Sequence, residues 1–376
     1  MKEINVRLIC GPHPLFKEII NYPPKSVKYN VSIIPNTTYN NFFARNVKGV
    51  ITKIQSIFSL PRMMYSNVDS DIIHSTRGVL MTNKNIPWVV DVEMASSFTG
   101  MNWSSLKRTM TKYIIKKYLS SKNCKKILPY SHAAKKNLEE WIDCKNFKDK
   151  IEVVYPAYHS TKIKRKHSDN VTLSFVCRTS PVALDFYIKG GHDLLEAFKI
   201  LRKKYKNVNL KIKGTIPLHL RKDLDGVTFV EENLPRDKFY EEFLYKPDIY
   251  VQPTLVDTFA IAVIEAMSVG LPVVATDMFA MSEIIEEGYN GFLLNTKMHW
   301  DEYVKFDPKY KKFNKDVSNY HPETIKDLVK KLSILIEDKN LRRKMGENAF
   351  KTVDSGKFSI KRRNEKLRKI YEEALR

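Results

Sequence analysis

Glu265 is the only acidic residue in an apolar stretch, residues 259–267 (FAIAVIEAM). A helix through this stretch would be apolar on all sides, so we expect it to be buried between other elements. A buried, ionised carboxylate is very unfavourable without a partner. Glu265 must therefore contact a cation or a hydrogen-bonding ligand, and the hydroxyls of a sugar or ribose diol would supply two donors. The simpler alternative is a carboxylate at the solvent end of the helix that pairs with a lysine.

The residues just before this helix are suited to binding an anion. Asp257 stands where an aspartate is most often an N-cap, which accepts hydrogen bonds from free backbone N–H groups. The amides of Thr258, Phe259 and Ala260 follow at the helix start, where a phosphate would be favoured. We predict that Asp257 can serve both as a cap and as a site residue.

Two cations earlier in the chain are placed to bind phosphate. Arg178 follows a predicted strand, and Lys189 with Gly190 opens the next helix. Ligands of open α/β sheets bind outside the carboxyl ends of the strands, where we expect both cations to lie. Arginine binds phosphate through its planar fork and lysine as a point charge. Either cation alone would be interpreted as a solvated surface charge, but their occurrence with Asp257 and Glu265 favours a pyrophosphate site.

These residues require strands and helices that bring them together. Short β-branched runs alternate with helix-like segments, which is the pattern of βα units around parallel sheets, so we predict an α/β fold. A polar, lysine-rich stretch at residues 155–170 separates two series and predicts a domain boundary near residue 165. The predicted strands are residues 5–10, 31–35, 71–74, 88–92, 126–128 and 151–154 in the first series, and 171–177, 208–213, 227–230, 248–252, 272–276 and 291–294 in the second.

Two further stretches depart from this alternation. Residues 295–322 are long, aromatic and lysine-rich, and we interpret them as an insertion. Residues 358–376 are predicted to form a final helix with an apolar stripe of Leu367, Ile370, Tyr371 and Ala374.

The C-terminal half resembles glycosyltransferase family 4 (glycosyl transferases group 1), which are retaining enzymes of the GT-B architecture. The family has an acidic residue, seven residues and a Glu, then an Ala-Met-x-x-Gly-x-Pro-Val-Val-Ala-Thr-like run, which matches residues 257–276. Glu283 and the turn at residues 287–291 (EGYNG) match later motifs. The family's Gly-Arg and Lys-Gly pairs match residues 177–178 and 189–190, so the ordered matches extend over residues 177–291.

The resemblance implies specific roles for the residues singled out above. Arg178 and Lys189 would hold the donor diphosphate, Glu265 would bind the ribose hydroxyls, and Asp257 would face the donor sugar. Backbone contacts to the donor are expected from Gly190, Thr258, Phe259 and Ala260.

The chain departs from the family pattern at some of these positions. The first acid is usually Glu, so Asp257 is one methylene shorter, and the usual Phe-Gly is Phe259 and Ala260 here. In the N-terminal half, Gly11 stands alone where the family has a glycine-rich loop. Glu93 occupies the place of a frequent catalytic-site His, and we assign it either a hydrogen bond to a sugar hydroxyl or the role of a surface acid at a strand end.

The chain is strongly basic, with 64 Lys and Arg against 42 Asp and Glu, a net charge of +22. Such a charge attracts phosphates on nucleic acid, anionic lipid or nucleotides. Residues 104–126 hold eight basic residues and no acid. A helix there that buried Leu106, Met110, Tyr113, Ile114 and Tyr118 would expose Lys107, Arg108, Lys112 and Lys116, either to an anionic membrane or only to solvent.

Several other classes are excluded or disfavoured by the sequence. Neither Gly-x-Gly-x-x-Gly nor a Walker loop occurs, and no zinc-finger or RNP-like motif suggests nucleic-acid binding. The four cysteines lack metal or disulfide spacing. No apolar run reaches the roughly 18 residues of a membrane span. Because the first residues do not resemble a signal peptide, we expect a cytoplasmic location, peripheral to the inner face of the membrane if the basic helix binds lipid.

The resemblance, together with the predicted βα pattern, thus implies a GT-B enzyme whose two Rossmann-like βαβ domains face each other across a cleft. Residues 1–165 would bind the acceptor, residues 166–355 the nucleotide sugar, and residues 356–376 would return to the first domain. The expected activity is transfer of a hexose, with retention, from a UDP- or GDP-linked sugar to a glycan or lipid-linked acceptor. We expect no cofactor and no metal. The alternatives are a related-fold epimerase or phosphorylase, or a basic protein without activity that binds nucleic acid or lipid.

Overall fold

The computed structural model describes residues 2–33, 60–67, 69–163, 165, 169–179, 183–221, 224–306 and 311–376. The chain forms two compact units, one of Met1–Ala157 with Ile360–Arg376 and one of Tyr158–Ser359. The first division therefore lies near the start of the lysine-rich stretch at residues 155–170, before the predicted boundary near residue 165. One reason is Arg165, whose guanidinium donates to the carbonyls of Tyr245, Pro247 and Val269 in the second unit.

The first unit is built on a parallel sheet. The described strands of this unit are β1 (Ile4–Cys10), β2 (Val27–Ile33), β3 (Met63–Met64), β4 (Ile72–Ser75), β5 (Leu80–Met81), β6 (Trp88–Val92) and β7 (Cys124–Pro129). Five of them pair in the order β2-β1-β4-β6-β7, while β3 and β5 form a separate short pair. Every residue of β6 is buried, as expected for a central strand covered on both faces.

Two predicted strands of this unit differ in the structure. The second strand begins at Val27, four residues before the predicted start, and residues 34 and 35 of the prediction lie outside the described residues. The predicted strand at 151–154 is wrong, because only Ile151 forms a bridge, to Ile127. Beyond it the chain runs beside β7 with single hydrogen bonds, such as that from the Val154 amide to the carbonyl of Pro129.

Five α-helices of the first unit are described: α1 (Pro14–Asn21), α2 (Trp103–Leu106), α3 (Thr109–Leu119), α4 (His132–Trp141) and α14 (Ile360–Ala374). The final helix, α14, joins the core of this unit although it follows the whole second unit in sequence. Its buried Leu367 and Ile370 belong to one cluster with Ile4 and Val6 of β1. The Tyr371 hydroxyl lies 2.6 Å from Nδ1 of His74, which fixes the helix against β4.

Of the predicted apolar stripe, Leu106 is buried in α2 as expected, but α3 buries a different set of residues. In α3 the buried residues are Thr111, Ile115 and Leu119. Met110 and Tyr113 are instead 64% and 61% exposed, so these apolar side chains lie among the lysines on the outer face. Among the described residues, no helix is both long and apolar enough to cross a bilayer.

The second unit contains six parallel strands: β8 (Val171–Val176), β9 (Val208–Lys213), β10 (Val227–Val230), β11 (Ile249–Gln252), β12 (Val273–Thr276) and β13 (Gly291–Leu294). Each agrees with its prediction to within one residue. Their order is β10-β9-β8-β11-β12-β13, so the chain moves outward from β8 in one direction and then outward from β11 in the other. This reversal creates a crevice between the loops that follow β8 and β11, the usual place for a ligand in such sheets.

The helices described in this unit are α5 (Leu184–Ile188), α6 (Gly191–Lys204), α7 (Arg236–Tyr240), α8 (Ile261–Ser268), α9 (Met281–Ile284), α10 (Trp300–Phe306), α11 (Lys311–Asp316), α12 (Pro322–Glu337) and α13 (Lys339–Asp354). The predicted insertion at residues 295–322 contributes α10 and α11. Its side chains Trp300, Val304 and Phe313 are buried, so this stretch packs as part of the second unit.

Candidate functional site

The loops after β8 and β11 are in direct contact at the crevice of the second sheet. The amide of Leu255 donates to the carbonyl of Ile188 at 2.7 Å. Gly190 has a left-handed backbone with φ of 74°, and a Cβ at this position would lie 1.9 Å from the carbonyl oxygen of Pro253. Only glycine fits so close an approach. The close contact places Lys189, next to Gly190, beside the residues that follow β11.

Lys189 and Asp257 form an ion pair at this contact. The Lys189 Nζ lies 2.6 Å from Oδ2 of Asp257. The other oxygen, Oδ1, accepts from the amides of Thr258 at 2.9 Å and Ala260 at 2.8 Å. Burial raises the pKa of the Asp257 carboxyl, but the Lys189 ammonium and the two amides outweigh burial and hold the pKa below its usual value. Asp257 is therefore an ionised carboxylate that binds a cation and holds the turn before α8. The predicted N-cap role is wrong, because Ala260 occupies the N-cap position of this helix.

The start of α8 has an unusual backbone. Ala260, the residue before the helix, is left-handed with φ of 47°, a conformation that is strained for a residue with a Cβ. Phe259 is buried, and its ring meets that of Phe358 edge to face at 5.9 Å. Two of the three amides predicted to contact a phosphate, those of Thr258 and Ala260, donate to the protein's own carboxylate here.

Glu265 lies inside a network of three donors. Its side chain is 13% exposed, and Oε1 accepts from the hydroxyl of Tyr158 at 2.5 Å, that of Tyr240 at 2.9 Å and the guanidinium of Arg236 at 3.0 Å. The carboxylate is thus neither in bulk solvent nor paired with a lysine, as the simpler alternative required. Its cation is an arginine from α7. In the described part of the chain, all hydrogen bonds to this carboxylate go to Oε1.

The phenols around Glu265 remain protonated donors. Burial raises the pKa of Tyr158 and of Tyr240, and the adjacent carboxylate raises both further. The Arg236 guanidinium also bonds both phenol oxygens, so one cation, two hydroxyls and one carboxylate form a single cluster. The arrangement holds the Glu265 side chain in a defined orientation.

Arg178 is placed differently from Lys189. Its side chain is 79% exposed and its Nε lies 3.0 Å from Oδ2 of Asp185. Asp185 belongs to α5, and its carbonyl accepts from the amide of Lys189 at 3.0 Å. The two predicted phosphate ligands therefore sit at opposite ends of one short helix, with Arg178 projecting to solvent.

Sequence reasoning missed four residues of this site. Arg236, Tyr158 and Tyr240 gave no signal, because an arginine and two tyrosines are common in a chain this rich in both. Trp300 lies in the predicted insertion, and its indole N–H donates to the carbonyl of Asp257 at 3.1 Å. The aromatic character of the insertion was the available signal for it.

Glu93 belongs to the first unit, where it follows β6. Its Oε1 lies 3.3 Å from Nε of Arg77. The amide of Arg77 donates to Oδ1 of Asp91, and Oδ2 of Asp91 lies 3.5 Å from Nε2 of the buried His74. Glu93 is therefore part of a charged group at the carboxyl end of the first sheet.

Residues 171–305 match the family model described as glycosyl transferases group 1. An uncharacterised glycosyltransferase of Haemophilus influenzae is 30% identical over 222 residues, which cover 57% of this chain and 57% of that protein. The uncharacterised glycosyltransferase MJ1178 of Methanocaldococcus jannaschii is 25% identical over 354 residues, which cover 89% of this chain and 86% of that protein. The chain thus matches just over half the length of the first relative and most of the second.

Solved structures resemble the chain over nearly its whole length. The Anabaena protein Alr3699/HepE, crystallised with UDP and glucose, has a TM-score of 0.61 at 14% identity, covering 98% of this chain and all of that one. Such a likeness concerns the fold, and it confirms the predicted α/β GT-B architecture with two Rossmann-like sheets. Together with the family match and the sequence relatives, it supports a glycosyltransferase enzyme.

Proposed function

We propose that the chain is a retaining glycosyltransferase of family 4 that transfers a hexose from a UDP- or GDP-linked sugar to a glycan or lipid-linked acceptor. The observation that carries the proposal is the cluster of Lys189, Asp257 and the backbone amides just before α8 at the crevice of the second sheet. The Anabaena neighbour was crystallised with UDP and glucose, which favours a donor of this class.

Lys189 and Arg178 are the proposed ligands of the donor diphosphate. Both are paired with carboxylates of the same unit, at 2.6 Å and 3.0 Å. A diphosphate carries more charge than a carboxylate, so it can compete for both cations. Negative charge develops on the diphosphate as the sugar departs, and fixed cations stabilise that charge most where water is excluded.

Glu265 is proposed to bind the ribose hydroxyls of the donor nucleotide. The cluster of Arg236, Tyr158 and Tyr240 holds Oε1, which leaves Oε2 to accept from the ligand. Because the carboxylate is already oriented before the ligand arrives, less conformational entropy is lost on binding.

The proposed reaction proceeds on one face of the sugar. The departing phosphate helps to deprotonate the acceptor hydroxyl, which attacks from the same side, so that the anomeric configuration is retained. We propose that no metal or further cofactor takes part, because the two cations and the start of α8 are suited to meet the charge of the leaving group.

The test is an assay of the purified chain with UDP- and GDP-hexoses and candidate acceptors, in which product linkage is determined. We expect Lys189→Ala, Arg178→Ala and Glu265→Gln to abolish transfer without loss of folding. Lys203→Ala, an exposed lysine of α6, is the matched control and should remain active. Conversion or phosphorolysis of the sugar without an acceptor, or no turnover of any donor, would overturn the proposal.

The outer face of α3 is proposed to lie against the inner face of the cytoplasmic membrane, close to a lipid-linked acceptor. The exposed Met110 and Tyr113 support this, since they stand beside the exposed Lys107, Arg108 and Lys117. Apolar side chains surrounded by cations are suited to an interface with anionic lipid.

A further inference from the structure

A groove with a volume of about 410 Å³ lies at the amino-terminal edge of the second sheet. Its floor includes Asp248, just before β11, and Pro272, just before β12. The candidate donor residues follow the opposite ends of the strands. The groove is therefore distinct from that site, and its volume is within the range of about 300 to 1,000 Å³ common for small-molecule sites.

The groove depends on a close approach of two backbone segments. A Cβ on Gly346 of α13 would lie 2.4 Å from the carbonyl oxygen of Gly270, and Gly270 itself has φ of 79°. Both glycines line the groove. The close approach brings the side chains of α13 against the end of α8.

The lining of the groove is strongly cationic. It contains five basic residues and two acidic ones, Asp248 and Glu347, so its net charge is +3. The basic residues are Lys162, Arg165, Arg342, Arg343 and Lys351. Lys162, Arg343 and Lys351 are exposed at the rim, while Ile163 and Phe350 provide apolar wall.

Two of these cations are buried or partly buried. Arg342 is only 3% exposed and donates to the carbonyls of Leu335 and Ile336. Arg165 is partly buried and bonds the carbonyl of Leu244 at 2.8 Å. Burial lowers the pKa of both guanidiniums.

The hydrogen bonds of these guanidiniums go to neutral carbonyls, while the Asp248 carboxylate of the groove attracts both guanidiniums and Asp338 attracts that of Arg342. Within the described ranges, Nε of Arg342 and Nε of Arg165 have no hydrogen-bond partner. Buried N–H donors normally have a hydrogen-bond partner. A charged acceptor that came close to these two would therefore form stabilising hydrogen bonds with them.

We propose that this groove binds the phosphate group of a small soluble organic phosphate. The buried guanidiniums form the positive floor, and Arg343 and Lys351 contact the phosphate oxygens from the rim. Phe350 and Ile163 pack against the organic part of the ligand. This site does not depend on the proposed transferase activity.

The test is calorimetric titration of the full chain with glycerol 3-phosphate and with inorganic phosphate, at constant ionic strength so that screening is equal throughout. The Arg343→Ala/Lys351→Ala variant should bind about tenfold more weakly. Lys330→Ala/Lys344→Ala removes the same charge from exposed lysines elsewhere on α12 and α13, and should bind like the wild type. Lys189→Ala should also leave this affinity unchanged.

Three results would overturn the proposal. The first is equal weakening in both double variants, which would indicate only non-specific attraction to a basic surface. The second is loss of binding in Lys189→Ala alone, which would place the phosphate in the donor site. The third is that the wild type binds phosphatidylglycerol vesicles but not glycerol 3-phosphate, and that the Arg343→Ala/Lys351→Ala variant no longer binds the vesicles. This result would assign the groove to a lipid headgroup.

Discussion

Lys189 and Asp257, predicted separately as donor ligands, bind each other at 2.6 Å. Its other oxygen accepts from the amides of Thr258 and Ala260 in the turn before α8. One carboxylate thus joins the loop after β8 to the turn after β11. A substitution at this position therefore changes both the stability of that turn and the charge presented to a ligand.

Asparagine and alanine at position 257 should separate these two roles. Asp257→Asn keeps an oxygen that can accept from the amides of Thr258 and Ala260 but removes the charge that Lys189 binds, whereas Asp257→Ala removes both. We expect Asp257→Ala to lower the free energy of unfolding by about 1 kcal/mol more than Asp257→Asn does, because only alanine loses these hydrogen bonds. Urea unfolding measures the difference, and equal values for the two variants would contradict a stabilising role for these hydrogen bonds.

The lowered pKa of Asp257 predicts how this stabilisation depends on pH. A carboxyl whose pKa is lower in the folded chain than its ordinary value of 3.8 stabilises the fold above that value, and the contribution is lost as the pH falls through the folded pKa. The difference in unfolding free energy between wild type and Asp257→Asn should therefore shrink between about pH 4 and pH 2. In a Lys189→Ala background this pH dependence should be weaker. The ammonium that lowers the pKa of the Asp257 carboxyl is then absent, so burial raises this pKa with less opposition. A pH dependence unchanged by Lys189→Ala would contradict the ion pair.

Each strand of the second sheet could be predicted from the sequence, but the contacts of Glu265 could not. Buried β-branched runs bounded by turns specify strands such as β8 and β12 locally. The partners of Glu265 are 29 residues away at Arg236 and 107 residues away at Tyr158, so only the tertiary fold brings them together.

The basic helix shows a different limit. Helical spacing marks Met110 and Tyr113 as one apolar stripe, but Thr111, Ile115 and Leu119 form another at intervals of four. Periodicity identifies stripes without stating which one meets the core, and the structure buries the second.

Ala260→Gly should stabilise the protein. Ala260 is left-handed with φ of 47°, and glycine adopts this conformation without the clash of a Cβ. We expect the free energy of unfolding to rise by about 1 kcal/mol. The matched control is Ala266→Gly inside α8, where the same change should cost about 1 kcal/mol. Destabilisation by both substitutions in urea unfolding would contradict a strained Ala260.

The exposed apolar residues of α3 should contribute to membrane binding. Met110→Ser/Tyr113→Ser is expected to weaken binding to phosphatidylglycerol vesicles about tenfold, because the polar side chains no longer leave water favourably. Ile200→Ser/Leu218→Ser changes two other exposed apolar residues, on the second unit, and is the control. Vesicle sedimentation gives the affinities. Equal binding by wild type and by Met110→Ser/Tyr113→Ser would exclude α3 as the contact surface.

Arg236 should act on the donor through Glu265. Its guanidinium is 3.0 Å from Oε1 and half exposed, so Arg236→Ala leaves the carboxylate with two phenols and no cation. We expect the affinity for the nucleotide diphosphate, measured by calorimetry, to fall about tenfold. Arg236→Lys keeps a positive charge without the planar fork and should recover part of the loss.

A second substitution distinguishes orientation of Glu265 from direct contact between Arg236 and the nucleotide. In a Glu265→Gln background there is no carboxylate to orient, so Arg236→Ala should then change the affinity much less than it does in the wild type. If the two substitutions instead weaken binding independently and additively, Arg236 contacts the nucleotide itself and does not act through Glu265.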